Sequence, residues 1–373
     1  RERRRTNLHR IARLVHHERN RKIAAKTEAF TEQQARRVRS FHSSFKEYSP
    51  TPLIELTSLA QHLGIKNLFV KDESYRFGLN AFKVLGGSFA IGSYIANELG
   101  EDIDDLPYMR LVSDEVRSLL GSKTFITTTD GNHGRGVAWT ANRLKQQAIV
   151  YMPQGSAAER LSNIRAEGAQ AEITDMNYDD TVRYTSELAQ KNGWIIVQDT
   201  AWDGYTRIPL WIMQGYMTMA LEAYEQLPVK PTHIFLQAGV GSLAGSVQGF
   251  FADIYGSSCP LTFIVEPKGA DCLYQTAAAN DGSLHSVTGR LETIMAGLAC
   301  GEPNSIAWEI LGNLSDGFIS CPDYTAAQGM RILGNPLAGD TKVSAGESGA
   351  ATVGLVAEAM RDERLSDLKH TGA

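Results

Sequence analysis

Short, apolar, β-branched runs alternate with longer stretches of helical period along most of this chain. The runs fall at 67–71 (NLFVK), 124–128 (TFITT), 148–152 (AIVYM), 171–174 (AEIT), 194–198 (WIIVQ), 233–236 (HIFL) and 262–266 (TFIVE). Between them, 136–144, 156–168, 179–192 and 212–226 carry apolar residues at helical spacing. Strands alternating with helices at this spacing predict an α/β fold of open, twisted, mainly parallel sheets flanked by helices. Ligands of such sheets sit at the carboxyl ends of strands, where loops meet helix N-termini. No solenoid-like repeat is visible, and the one linker-like stretch is 277–290, with its Asn-Asp-Gly turn.

The longest uncharged run, 234–252, could be mistaken for a membrane span. It holds Gly239, Gly241, Gly245 and Gly249 with Gln237 and Gln248, too polar and glycine-rich for a lipid-facing helix. It reads instead as a strand, a glycine loop and a helix.

Composition adds size and compartment. A chain of 373 residues, 43% hydrophobic and 21% charged, has room for two ordinary domains and is too apolar for a disordered protein. Four cysteines without a C-x-x-C pair predict a reducing, cytoplasmic setting, and their spacing offers no metal site. Of these, Cys272 and Cys300 lie in glycine-flanked segments and are expected to be buried free thiols. Charge is uneven: residues 1–46 hold 14 Lys/Arg against 4 Asp/Glu, while the whole chain is at −5. A basic head can be a nucleic-acid arm, but this one contains acids and no interleaved aromatics, so a solvated helical arm or subunit contact is expected. His16 and His17 lie within it and are expected to be solvated.

Three segments could carry chemistry. In KDESYRFGLNAFKVLGGSFA (71–90), Lys83 stands in an apolar stretch just before Gly86 and Gly87. A lysine there must lower its pKa, form a covalent imine, or snorkel to solvent. In TTTDGNHGRGVAW (127–139), a polar, glycine-punctuated turn follows a strand and opens a helix, a shape that aims backbone N–H groups at an anion. His133 in that turn is a candidate base and equally a structural hydrogen-bonding group. Asp130 is the anomaly, since a carboxylate in an anion-binding turn repels its ligand and should have a task of its own. In HIFLQAGVGSLAGSVQGFF (233–251), the spacing Gly239-x-Gly241-x-x-x-Gly245 between strand and helix forms a phosphate cradle. It matches neither the dinucleotide fingerprint nor a P-loop. The methionine-rich run at 211–220 has helical spacing and reads as core.

In this order the three segments resemble the tryptophan-synthase-β-like, fold type II pyridoxal-phosphate enzymes. Ala81-Phe82-Lys83-Val84-Leu85-Gly86 matches the family's Schiff-base lysine segment, and Thr129-Asp130-Gly131-Asn132-His133 its S-x-G-N-H loop. Ala238-Gly239-Val240-Gly241-Ser242 matches its phosphate loop, with Ala and Val where relatives usually carry Gly. MPQGSAAER, TDMNYDDTVR, VQDTAWDGYTRIPLWIMQGY, IMAGLACGEPN and GESGA are similar to the branch of that family that eliminates ammonia from 2,3-diaminopropionate. The likeness runs from about residue 30 onwards.

The resemblance implies two interleaved lobes, a large cofactor-phosphate lobe of 1–88 and 206–373 and a small lobe of 89–205. It implies pyridoxal 5′-phosphate on Lys83, with Asn132 at the ring hydroxyl and Gly239, Val240, Gly241 and Ser242 at the phosphate. It implies a small amino-acid substrate held by Thr128, Thr129, Gly131, His133 and Asp199, with Lys83 and Asp130 as bases on opposite faces. D- and L-diaminopropionate would both give pyruvate and ammonia. A role for Asp199 as a helix cap is an equal alternative from its position alone. A homodimer is implied, and so is a group facing the pyridine nitrogen that is expected beyond Ala373. The rivals are a serine or threonine dehydratase of the same fold and, outside enzymes, a phosphate-ligand or nucleic-acid binding protein.

Overall fold

The structure is a computed structural model that describes residues 12–16 and 27–361. Its described strands are β1 (Arg13–His16), β2 (Leu53–Glu55), β3 (Phe69–Lys71), β4 (Thr124–Thr128), β5 (Gln147–Met152), β6 (Gln170–Ile173), β7 (Ile195–Ile196), β8 (His233–Gln237), β9 (Leu261–Pro267) and β10 (Gly317–Cys321). One sheet has the order β6-β5-β4-β7 and is parallel throughout. A second has the order β1-β10-β9-β8, parallel except for β1. β2 and β3 form a separate antiparallel pair. The expected α/β architecture of mainly parallel sheets is therefore what the chain adopts. The central strands are apolar without alternation because helices cover both faces: β10 is buried at every position and β4 at all but its first.

Three differences from the sequence reading have physical reasons. β10 was not expected, although GFISC is a short apolar run; its flanking glycine and cysteine weaken the strand signal. β2 was not expected either, being three residues that gain their partner only from β3. The helical reading of the basic head is corrected in part. Arg13–His16 is an edge strand, with Leu14 opposite Ile319 and Val15 opposite Phe318. Arg13 is held by Asp271 at 3.0 Å and lies 5.0 Å over the Tyr274 ring, so this basic residue belongs to the sheet rim. Helix Glu32–Ser43 does form, capped by Thr31 Oγ1, which accepts from the Gln34 amide at 3.2 Å. The remaining part of the head, His17 included, and the C-terminal DLKHTGA lie outside the described residues.

Helix Lys83–Leu99 is the element that links the two large sheets' layers. It is buried on nearly every side, as expected of a helix apolar all round. Such a helix needs close neighbours, and glycines allow them. A Cβ at Gly86 would lie 2.7 Å from both Ile212 and Tyr216, and one at Gly136 would lie 2.8 Å from the Val84 Cα. Helices Arg207–Gln226 and Asn132–Arg143 therefore clamp the start of the Lys83–Leu99 helix from two directions. A single core runs through Phe125 and Val150 of one sheet to Leu236, Ile264 and Phe318 of the other. The 234–252 run folds as β8, a glycine turn and helix Ser242–Tyr255. Among the described residues no helix is long and apolar enough to cross a membrane.

Immediately upstream of Lys83 sits a buried charge network. Arg76, fully buried, donates to Glu222 at 2.6 and 2.9 Å and to Glu73 at 2.8 and 2.9 Å. Lys71 Nζ reaches Glu222 at 2.8 Å, and Tyr48 donates to it at 2.9 Å. Two cations and two carboxylates satisfy one another, which is how such charges tolerate burial. The network pins 71–76 and so fixes where Lys83 enters its helix.

Candidate active site

Lys83 is the first residue of its helix, and its ammonium meets Asp199 Oδ2 at 2.5 Å. Nζ also lies 5.9 Å from the centroid of the Phe82 ring. Burial would lower the lysine pKa, but Asp199, with Tyr216 and Asp130 behind it, raises it above the ordinary value. Of the outcomes open to a lysine in that apolar stretch, a depressed pKa is not the one found, because a carboxylate that the local sequence does not reveal stands beside it. Burial pushes Asp199 up, yet the Lys83 ammonium outweighs it and holds the carboxyl at about 2. Its other oxygen accepts from the Tyr178 hydroxyl at 3.4 Å. The cap alternative fails on geometry: the Asp199 carboxylate is engaged by side chains, and the next helix begins only at Arg207.

The polar turn after β4 lies against this pair, since Gly136, one turn into the following helix, touches the Lys83–Val84 backbone. Asn132 is exposed at the first position of helix Asn132–Arg143. His133 is 2% exposed and its Nε2 donates to the Val197 carbonyl at 2.7 Å. Burial lowers its pKa, so the ring is neutral, and Nδ1 is a buried atom without a partner. Thr129 Oγ1 accepts from the Gly131 amide at 2.9 Å and shapes the turn. The Thr128 hydroxyl points elsewhere, to Thr185 Oγ1 at 2.8 Å and the Thr181 carbonyl at 3.2 Å. Asp130 is ion-paired with Arg160 at 3.1 Å; burial raises its pKa while Lys83 and Arg160 oppose the rise. It faces the 294–300 segment, where a Cβ on Gly297 would be 3.7 Å from Asp130 Oδ2.

The glycine loop completes the site. Gly241 adopts φ +103°, which favours glycine, and turns the chain into helix Ser242–Tyr255 without a side-chain cap. Among the described residues no acceptor faces the amides of Gly239, Val240, Gly241 and Ser242. A Cβ at Gly239 would come within 3.3 Å of Cys300 Sγ and Leu298 Cα, so the loop is pressed against 298–300. Cys272 Sγ donates to the Gly239 carbonyl at 3.8 Å, and both cysteines are free thiols. Ser242 Oγ donates to the Asp199 carbonyl, which joins the loop directly to the Lys83 partner. Free amides at a helix N-terminus, a neighbouring lysine, and the orphaned His133 Nδ1 and Tyr216 hydroxyl fit a phosphorylated aldehyde cofactor.

Several residues at the site were missed by the sequence reading. Asn304 accepts from the Ile306 and Ala307 amides, donates to Ser242 Oγ at 2.8 Å, and gives its own amide to the Val240 carbonyl at 2.8 Å. Its only signal was membership of the IMAGLACGEPN segment. Arg160 stood in MPQGSAAER, and Tyr216 in a run read correctly as core, for Met213 and Met217 are fully buried.

The family described as pyridoxal-phosphate dependent enzyme matches residues 45–371. A diaminopropionate ammonia-lyase of Salmonella typhimurium is 52% identical over 336 residues, 89% of this chain and 83% of that protein. The crystal structure of holo diaminopropionate ammonia lyase from Escherichia coli superposes with a TM-score of 0.89 at 48% identity, covering 97% of this chain and 90% of that one. A catabolic L-threonine dehydratase of Staphylococcus aureus is more distant, 26% identical over 76% of this chain and 71% of that protein.

Proposed function

The chain belongs to the pyridoxal-phosphate-dependent enzymes, and from that premise we propose that it converts D- and L-2,3-diaminopropionate to pyruvate and ammonia. The observation that carries this reading is the buried Lys83–Asp199 pair with a second carboxylate, Asp130, facing the same lysine. When bound, the cofactor supplies an electron sink that makes the substrate Cα–H acidic. Lys83 is placed to hold it, the Gly239–Ser242 amides to take its phosphate, and Asn132 to reach its ring hydroxyl. Lys83 as a free amine takes the Cα proton from one face, and Asp130 takes it from the other. The turn of Thr128, Thr129, Gly131 and His133 receives the substrate carboxylate at the start of helix Asn132–Arg143, with Thr128 supporting the turn through Gln198, which accepts from its amide at 2.9 Å. Asp199 holds a substrate amino group once Lys83 no longer occupies it.

Sheet membership supports the division into lobes of 1–88 with 206–373 and of 89–205, for β4 to β7 fall in the second and β8 to β10 in the first. A cytoplasmic homodimer acting on a free amino acid, without nucleic acid, completes the reading; the free thiols of Cys259, Cys272, Cys300 and Cys321 support the compartment. The deciding experiment measures pyruvate release by the holoenzyme from D- and L-diaminopropionate and from D- and L-serine. Turnover of both diaminopropionate isomers above either serine is expected. Faster turnover of L-serine would replace this reading with a dehydratase.

A further inference from the structure

Asp130 does not face the site alone. Arg160, from helix Ala158–Ala166, donates from Nη1 to Asp130 Oδ2 at 3.1 Å and to the Asp130 carbonyl at 3.3 Å. Its stem lies over Gly131, where a Cβ would come 3.1 Å from Arg160 Cδ. The other nitrogen, Nη2, faces Glu347 Oε2 at 3.9 Å, at the start of helix Glu347–Ala359. One guanidinium thus bridges two carboxylates, one on the turn after β4 and one on a helix that packs against β8.

We propose that Arg160 is a positioning residue that determines isomer specificity: it holds Asp130 as an aimed carboxylate, and Glu347 becomes its counter-ion when Asp130 carries a proton. This inference rests on the reading of Asp130 as the second base. With Oδ2 tied to Arg160, Oδ1 is the oxygen left to reach a substrate. In the step it serves, the Cα–H bond breaks, the proton passes to Oδ1, and the electron pair stays on the substrate side, from which the β-amino group departs. Asp130 is then neutral and the half-buried guanidinium would stand uncompensated, a costly state unless another anion is near. Glu347 supplies that anion. The charged and titratable groups facing Asp130 are Lys83 from the Lys83–Leu99 helix, Arg160, Asp199 after β7, Tyr178 from helix Tyr178–Asn192, and Cys300. Lys83 and Arg160 favour its ionised form, while burial and Asp199 oppose it.

The test compares holoenzyme carrying Arg160→Met, Arg160→Lys, Glu347→Gln or Asp130→Asn, with pyruvate release from each isomer followed from about pH 6 to about pH 9. Arg160→Met should lower kcat for the D isomer at least roughly ten-fold more than for the L isomer. It should also move the acidic limb of the D-isomer profile up by about one pH unit, because loss of the cation favours protonated Asp130. Arg160→Lys, which keeps the charge, should recover part of both effects and serves if the Met variant does not fold. Glu347→Gln should shift the same limb down, since removing an anion favours ionised Asp130. Equal losses for both isomers with an unmoved limb in the Arg160 variants, while Asp130→Asn stays D-selective, would overturn the role of Arg160 and leave that of Asp130 intact. Equal losses in Asp130→Asn would overturn the second-base reading and this inference with it.

Discussion

Gly215→Ala adds one methyl group at the tightest helix crossing beside the site. Gly215 lies on helix Arg207–Gln226, and a Cβ there would fall 2.3 Å from the Leu85 carbonyl oxygen and 2.7 Å from Gly86 Cα. A close carbon–oxygen contact is about 3.3 Å, so the helices must part by about 1 Å. The atoms in the way are backbone, and no rotamer change relieves them. Alanine gains about 1 kcal/mol of helix propensity over glycine, whereas overpacking costs about 1–3 kcal/mol. With a backbone clash the cost lies at the upper end, and a net loss of about 2 kcal/mol is expected. Function should suffer more than stability. Lys83 sits one turn before Gly86 on the displaced helix, with its Nζ 2.5 Å from Asp199. A misplacement of about 1 Å costs roughly a hundred-fold in rate. Urea unfolding followed by circular dichroism gives the first number, and pyruvate release by the holoenzyme the second. Gly334→Ala is the control, for nothing lies within 4 Å of a Cβ there and its stability should hold or rise slightly. Wild-type stability and turnover in Gly215→Ala would refute the clamp.

The buried network upstream predicts a pH-dependent loss. Burial raises the Glu222 pKa, but Arg76 and Lys71 more than offset this and hold it at about 2. Its stabilisation is therefore full above the ordinary glutamate pKa of about 4.3 and fades as pH falls through the folded value. Glu222→Gln should cost about 3 kcal/mol at neutral pH, by urea midpoint, with the gap to wild type closing only below about pH 4; a gap independent of pH down to about 2 would contradict the assignment. Asn304→Asp keeps the oxygen that caps helix Ser305–Leu314 but loses the donors to Ser242 and Asp199. Cofactor affinity, titrated by visible absorbance, should weaken by roughly ten-fold, with stability also falling by about 1–3 kcal/mol because the new carboxylate is fully buried, and unchanged affinity would count against Asn304 as the brace of the loop. Asp199→Asn should lower the ratio of diaminopropionate to serine turnover by roughly ten-fold; an unchanged ratio would remove Asp199 from substrate discrimination.

Periodicity alone located β4, β5, β8 and β9 to within a residue or two, because buried parallel strands are short unbroken apolar runs. It failed where a strand gains its identity from its neighbour: β1 lies in a basic segment and becomes a strand by pairing with β10. Lys83, Asp130 and the Gly239–Ser242 loop were visible because their residue types conflict with their surroundings or punctuate them. Asp199 was visible only by resemblance, as nothing around VQDTAW says that Lys83, 116 positions away in sequence, will meet it. Arg160 and Asn304 carry no local anomaly at all. Their roles arise from contacts across the fold, which no window of sequence contains.

The charges at the site argue for a diamine over a hydroxy amino acid. Lys83 and Arg160 face three carboxylates, Asp130, Asp199 and Glu347, so the anions are in excess before any substrate arrives. Whenever Lys83 gives up its charge, Asp199 is left 4% exposed beside a neutral His133. An unpaired buried carboxylate is expensive, and a β-ammonium group restores its partner whereas a serine hydroxyl brings no charge. Holding the β-nitrogen as an ammonium would also make it able to depart as neutral ammonia, so on the proposed reading one contact would both select the substrate and prepare its leaving group. Asp130 meets the opposite requirement. To act as a second base it must stay ionised although burial and Asp199 both oppose this, which a neutral neighbour could not achieve and the Arg160 guanidinium can. The anionic excess that favours a diamine is thus also the reason that a second base in this turn needs a cation behind it.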